Sequence, residues 1–269
     1  MVVYPNCKIN IGLNIISKRP DGFHNIESVF YPVPWCDMLE IIPSAANSFV
    51  FDGFKINCPL EENLCYKAWQ LLRLRFDIPN ISLYLYKKIP FGAGLGGGSS
   101  DGAFVLKTLN ELFGLDLDRD AIANMASELG SDCTFFVDNR PCFVSGTGAD
   151  IAPVELSLKG YYVMVVKPAV SVSTVEAYRM VTPQKPVLRL SDVIKMPVTA
   201  WEKCLSNDFE SPVMEQYPTI RRIKDRLYEM GAVYAAMSGS GAAVYGLFEQ
   251  EVDTDKDFAG CQLWKGWLY

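Results

Sequence analysis

Histidine is nearly missing from this chain: His24 is its one example among 269 residues. A zinc site of the Cys/His kind has little to build on, and the cysteines do not make up the shortage. None of Cys7, Cys36, Cys58, Cys65, Cys133, Cys142, Cys204 and Cys261 belongs to a Cys-x-x-Cys pair. Spread through so long a chain, they read as buried thiols in a reducing compartment rather than as a disulfide framework. Positive charge is also short, with 25 Lys and Arg against 31 Asp and Glu and a net charge of −6. That balance argues against extended nucleic acid as the partner, because phosphate-backbone binding needs concentrated basic charge, but it leaves a small anionic substrate open. No run reaches the roughly 18 apolar residues of a membrane helix. Lys8 and Asn10 also arrive before a signal-peptide core can form. The expectation is a cytoplasmic protein with no membrane partner.

What is present is globular. Apolar residues make up 49% and charged residues 21%, enough to bury a core without staples. Gly146, Gly148, Asp150 and Pro153 break the periodicity, which predicts two domains, residues 1–150 and 151–269. Near the start, Cys7, Ile9, Ile11, Leu13 and Ile15 alternate with Lys8, Asn10, Gly12 and Asn14, a strand pattern that puts Lys8 and Asn10 together opposite the apolar face. Apolar stretches at residues 26–33 and 38–42 continue a meander. Helices are expected from Asn63, from the residues beyond Ser99, from the capping Asp118 to Gly130, and along the stripe of Ile220, Ile223, Leu227 and Met230. Strands are expected at residues 81–85, 161–166, 233–237 and 242–248.

The chemistry centres on Gly92-Ala93-Gly94-Leu95-Gly96-Gly97-Gly98-Ser99-Ser100, which lies between a strand and an amphipathic helix. Backbone amides and a helix N-terminus suit phosphate oxygens there, and a side chain on the glycines would hold the phosphate away. A flexible surface loop is the plain alternative. No acidic ribose anchor follows a later strand, and no Gly-Lys-Ser or Gly-Lys-Thr ends the loop, so neither a dinucleotide fingerprint nor a Walker A sequence fits. Phosphate charge then falls to Ser99, Ser100, a metal, or a lysine among Lys8, Lys87 and Lys88. The turn Ser238-Gly239-Ser240-Gly241 is either a simple hairpin turn or a second set of donors. Asp132, in the turn Gly130-Ser131-Asp132, reads locally as a surface or capping acid, and Asp101 as an acid favoured by its helix's N-terminus.

Three of these features resemble the motifs of the GHMP kinases, named for galactokinase, homoserine kinase, mevalonate kinase and phosphomevalonate kinase. They are the opening at Lys8, the run Pro90 to Asp101, and Met237 to Gly241. The resemblance implies an α+β, two-domain GHMP kinase fold. Its N-terminal domain is mixed α/β and like domain 2 of a ribosomal protein, its C-terminal domain is ferredoxin-like, and the active site lies in the cleft between them. Asn6 to Asn14, Pro20-Asp21-Gly22-Phe23-His24, Glu62-Asn63-Leu64 and Gly130-Ser131-Asp132 add likeness to one branch. That branch transfers the terminal phosphoryl group of ATP to the C2 hydroxyl of a diphosphocytidyl-methylerythritol. A related small-alcohol kinase or a noncatalytic nucleotide-binding regulator is the alternative.

For the site, the resemblance implies a catalytic pair, Lys8 and Asp132. It also implies Asn10 on the methylerythritol hydroxyls or phosphates, with His24 on the cytosine edge beside Phe23 and Tyr178. The triphosphate is expected on Gly92, Gly94, Leu95, Gly96, Gly97, Gly98, Ser99 and Ser100, joined by Gly239 and Ser240, and the adenine near Asn63 and Leu64. ATP and Mg²⁺ are the implied cofactors, with Ser99 or Ser100 as possible metal contacts and no dedicated protein cage. The partners implied are the cytidyl substrate and ATP, on a monomer or weak homodimer. Phe23 stands where many relatives have Tyr, Gly102 where they have Ala, and Cys133-Thr134 where they have Val-Pro.

Overall fold

The computed structural model describes residues 1–56, 58–253 and 258–269. Its strands are β1 (Val2–Val3), β2 (Asn6–Lys18), β3 (His24–Cys36), β4 (Met38–Pro43), β5 (Ser48–Gly53), β6 (Ile81–Lys87), β7 (Cys142–Gly146), β8 (Asp150–Pro153), β9 (Tyr162–Lys167), β10 (Tyr234–Met237), β11 (Val244–Phe248) and β12 (Gln262–Trp267). Three helices bear on the site: α1 (Leu64–Arg75), α2 (Gly97–Phe113) and α3 (Arg119–Leu129). Contacts gather into two compact units. The first comprises Met1–Cys7, Trp35–Phe91 and Gly96–Arg140, and the second Lys8–Pro34, Gly92–Leu95 and Pro141–Tyr269. These units differ from a single division at residue 150. The reason is strand pairing, because β2 and β3 share a sheet of order β2-β3-β7-β8 with strands from later in the chain.

In the first unit the sheet order is β1-β4-β6-β5, with β4 antiparallel and β5 parallel to β6. Strand β6 alternates as its sequence requires: Ile81, Leu83 and Leu85 are buried while Tyr86 is exposed. The same period carries Lys87 into the buried register. Helix α1 starts where Asn63 accepts a hydrogen bond from Cys65 N at 2.8 Å. Helix α3 starts where Asp118 accepts one from Ala121 N at 2.8 Å, and it ends at Gly130. Their apolar stripes join one core, in which Leu72, Val105, Leu109, Ile122 and Met125 meet Leu39, Ile41 and Leu83. Helix α2 begins earlier than the change of pattern after Ser99. Gly96, in the left-handed conformation at φ 68°, is its N-cap, so Gly97 and Gly98 already belong to the helix.

In the second unit β10, β11, β9 and β12 follow one another as an antiparallel sheet. The helix Pro218–Glu229 buries Ile220, Ile223 and Leu227 in the same core as Met164, Val166 and Val244. On β2 the alternating apolar residues are buried as expected, but Lys8 and Asn10 are buried too. Their face of the strand is therefore not a wet one. No helix among the described residues is long and apolar enough to cross a membrane.

Asp118 is exposed, so its contribution is the cap alone. Asp118→Ala is expected to lower stability by about 1 kcal/mol in urea unfolding.

Candidate active site

Lys8 is the centre of a buried polar network in the second unit. Its ammonium donates to Asn10 Oδ1 at 2.5 Å and to the Gly94 carbonyl at 3.1 Å, and lies 4.4 Å from the centroid of the Phe30 ring. Asn10 Nδ2 donates to Ser28 Oγ at 2.9 Å, and Ser28 Oγ donates to the Gly12 carbonyl at 2.7 Å. From the far end of the chain, Ser238 Oγ donates to the same Gly94 carbonyl at 2.8 Å, while Tyr245 OH donates to the Asn10 carbonyl at 2.8 Å. The main chain closes the cluster, with Lys8 N donating to the Leu95 carbonyl at 2.9 Å.

Gly94 cannot be another residue here. At φ 73° an added Cβ would lie 2.0 Å from the Ser238 carbonyl oxygen. The Ser238–Gly241 turn is therefore more than a hairpin connection: it packs directly on the glycine-rich segment. Asn207 Nδ2 holds it from behind by donating to the Met237 and Gly239 carbonyls, each at 2.8 Å. Ser240 Oγ shares a hydrogen bond with Thr174 Oγ1 at 3.1 Å.

The turn before β3 is tied by its own residues. Arg19 N donates to the Phe23 carbonyl at 2.8 Å, Phe23 N donates to Asp21 Oδ1 at 3.1 Å, and the Arg19 guanidinium pairs with the Asp21 carboxylate. That pairing lowers the carboxyl of Asp21 below its ordinary value. Phe23 is left 64% exposed. His24 stacks on Tyr178 with ring centroids 4.8 Å apart, and Tyr178 in turn meets Phe209 edge-on at 4.9 Å. Because the His24 and Tyr178 rings already touch, they would have to part to admit a base between them. Burial, then the charge of Lys18, pushes the imidazole below its ordinary 6.5, so His24 is neutral at pH 7 with one donor and one acceptor.

In the first unit the start of α2 gathers the other expected residues. Its first hydrogen bond runs from Ser100 N to the Gly96 carbonyl at 2.9 Å. The amides of Gly97, Gly98 and Ser99 precede it, where a helix has no carbonyl of its own to offer. The side chain of Ser99 hydrogen-bonds the buried Cys133 thiol, whose pKa burial pushes up to about 12. Cys133 follows Asp132 in the short 3-10 turn Ser131–Cys133, so the half-buried acid sits one residue from a side chain anchored to α2. Leu64 lies against the other side, 3.1 Å from where a Cβ on Gly102 would be. Asn63 lines a pocket of about 400 Å³ with Phe49, Phe51, Phe54 and Ile56. Lys87 is not available to a phosphate, because its ammonium is buried between Asp37 and Asp101.

Thus Lys8, Asn10, Gly94, Leu95 and Gly239 come together in one unit, and Gly97, Ser99, Ser100, Leu64 and Asp132 surround the head of α2 in the other. Gly92, exposed at the start of the loop, makes no part of either cluster. Sequence reasoning passed over Ser28 and Asn207, single polar residues with no pattern around them, and left Ser238 in a turn of undecided purpose.

Comparison with known proteins decides the family. Residues 63–146 match the GHMP kinases N terminal domain, and residues 192–265 match the GHMP kinases C terminal domain. This chain is 52% identical over the full length of both proteins to the 4-diphosphocytidyl-2-C-methyl-D-erythritol kinase of Parabacteroides distasonis. The chain belongs to the GHMP kinase family. This GHMP kinase is also 43% identical to the kinase of the same description from Cytophaga hutchinsonii, over 94% of each chain. A crystal structure of 4-(cytidine 5'-diphospho)-2C-methyl-D-erythritol kinase superposes with a TM-score of 0.82 at 30% identity, covering 99% of this chain and 98% of that one. The Methanococcus jannaschii mevalonate kinase shares the fold, with a TM-score of 0.70 at 13% identity over 100% of this chain and 98% of that one. The two-domain, mixed α and β expectation is met.

Removing the Ser238 hydroxyl should loosen Gly94 in this GHMP kinase without disturbing the β10–β11 pairing. Ser238→Ala is expected to cost about 1 kcal/mol in stability and to lower kcat/KM several-fold, measured by thermal unfolding and steady-state kinetics. Gly94→Ala is expected to abolish activity in the same assay.

Proposed function

We propose that this chain uses ATP to phosphorylate the C2 hydroxyl of 4-diphosphocytidyl-2-C-methyl-D-erythritol, giving the 2-phosphate and ADP in non-mevalonate isoprenoid precursor biosynthesis. The observation that carries the reading is identity of 52% across the whole length of a kinase so described. The neutral His24, stacked on Tyr178, supports it, since an imidazole with one donor and one acceptor matches the edge of a cytosine.

The roles proposed are those the family resemblance implies. Asp132 accepts the proton of the substrate hydroxyl as the bond to phosphorus forms. Lys8, fixed by Asn10 and Gly94, contributes positive charge near that oxygen, and Asn10 contacts the polar groups of the acceptor. The amides of Gly96 and of the head of α2 receive the polyphosphate. Asn63 and Leu64, beside the aromatic-lined pocket, take the adenine.

Mg²⁺ fits this arrangement as a companion of ATP. No group of three or more His, Cys, Asp or Glu that could hold a metal ion gathers among the described residues. Ser99 is engaged with Cys133, whereas the buried Ser100 hydroxyl has no partner, which makes Ser100 the protein oxygen to hold the metal. When bound, Mg²⁺ neutralises and orients the polyphosphate.

Purified protein is expected to consume ATP with the cytidyl substrate and to yield a product heavier by one phosphoryl group; turnover of mevalonate or homoserine instead would refute the assignment. Asp132→Asn should lower kcat about 100-fold or more with ATP affinity retained. KM for the cytidyl substrate should stay flat around neutrality and rise on acidification below 6.5, as His24 gains a proton and loses its acceptor. In His24→Ala, KM should be high throughout and that acid limb absent.

A further inference from the structure

The alternation of β6 delivers a lysine into a hydrophobic core, and the protein answers with two carboxylates. Lys87 Nζ donates to Asp37 Oδ2 and, at 2.6 Å, to Asp101 Oδ2, and all three side chains are almost fully buried. Asp37 is well supplied, since its Oδ1 also accepts from Lys88 N at 2.5 Å and from Ile89 N at 2.8 Å. Asp101 is not. Its Oδ1 is buried and unpartnered, and so is the neighbouring Ser100 Oγ. Such atoms are uncommon in a folded core and call for an explanation.

The position of Asp101 supplies one. It lies one residue beyond Ser100 in α2, so its bond to Lys87 ties the head of that helix to β6. The contact is close: a Cβ on Gly97 would lie 2.8 Å from Ile89 Cγ2 and 3.4 Å from Lys87 Nζ. A side chain at Gly97 would press on Ile89, next to the ammonium. The turn that bears Ser99, Ser100 and the amides ahead of them therefore rests on a buried charge. We infer that Asp101 is a positioning residue for nucleotide binding: held by Lys87, it fixes the first turn of α2 and so sets the affinity for the polyphosphate of ATP. This rests on the kinase reading above.

One ammonium faces two acids, and their negative charge holds Lys87 charged against the cost of burial. The acid in α2 is therefore bound to a cation at a fixed place on β6, and the first turn of the helix is fixed with it.

The test is calorimetric binding of a nonhydrolysable ATP analogue and of the cytidyl substrate to the intact protein at pH 7, for wild type, Asp101→Asn and Asp101→Ala. Asparagine still accepts from Lys87, and it should keep ATP affinity near that of wild type. Alanine should weaken ATP binding about tenfold, as expected for losing a hydrogen bond to a charged group, and leave the cytidyl substrate unaffected. A folded Asp101→Ala that binds ATP as wild type does, or that loses both ligands in proportion, overturns the inference. Should the alanine variant not fold, a folded Asp101→Asn that has lost ATP affinity overturns it as well. Wild-type protein that binds no ATP overturns the kinase reading and this inference together.

Discussion

A polar side chain on a strand buried on both faces must find its partners within the protein, since an unsatisfied group costs about 1–3 kcal/mol. Strand β2 carries Lys8 and Asn10 into such a place, and much of the second unit is arranged to satisfy them. The carbonyl of Gly94 serves Lys8 and Ser238 at once, which fixes the glycine-rich segment against the turn at Ser238. Ser28 completes Asn10, and Asn207 secures the turn from the other side. Asn10, the Gly94 carbonyl and an aromatic face are among the groups that hold the ammonium in place.

In the first unit Lys87 is buried with two acids, and one of them lies in the helix whose head faces the nucleotide in the proposed function. Replacing such a cluster with apolar residues of similar volume often costs nothing in stability. Its retention is easier to understand as a way of setting where α2 begins. Cys133 and Leu64 add contacts to the same turn and adjust it through packing and one weak hydrogen bond.

Local signals in the sequence carried most of the secondary structure. Asn63 and Asp118 cap the helices they were expected to cap, Gly130 stops α3, and alternation located β2 and β6. Alternation also erred in meaning while being right in geometry: it placed Lys8 and Asn10 on one face but said nothing of what covers that face. Lys87 reads as a cation for phosphate in the sequence because its partner Asp37 is 50 residues away and no short-range pattern links them. Helix α2 starts before the change of pattern after Ser99: glycine reads as a breaker in sequence, whereas here a left-handed Gly96 caps the helix. The approach of His24 to Tyr178 was legible through family resemblance, not through spacing.

The two compact units exchange chain at residues 8, 35, 92, 96 and 141. On a ribosome the first unit lacks its last segment until Arg140 has emerged, while β2 and β3, made near the beginning, wait for β7 and β8. Strand β9 waits in its turn for its neighbours β11 and β12. Apolar strands made well before their partners stay exposed for a large part of translation, so nascent chains of this protein are natural clients for chaperones that shield unpaired edges.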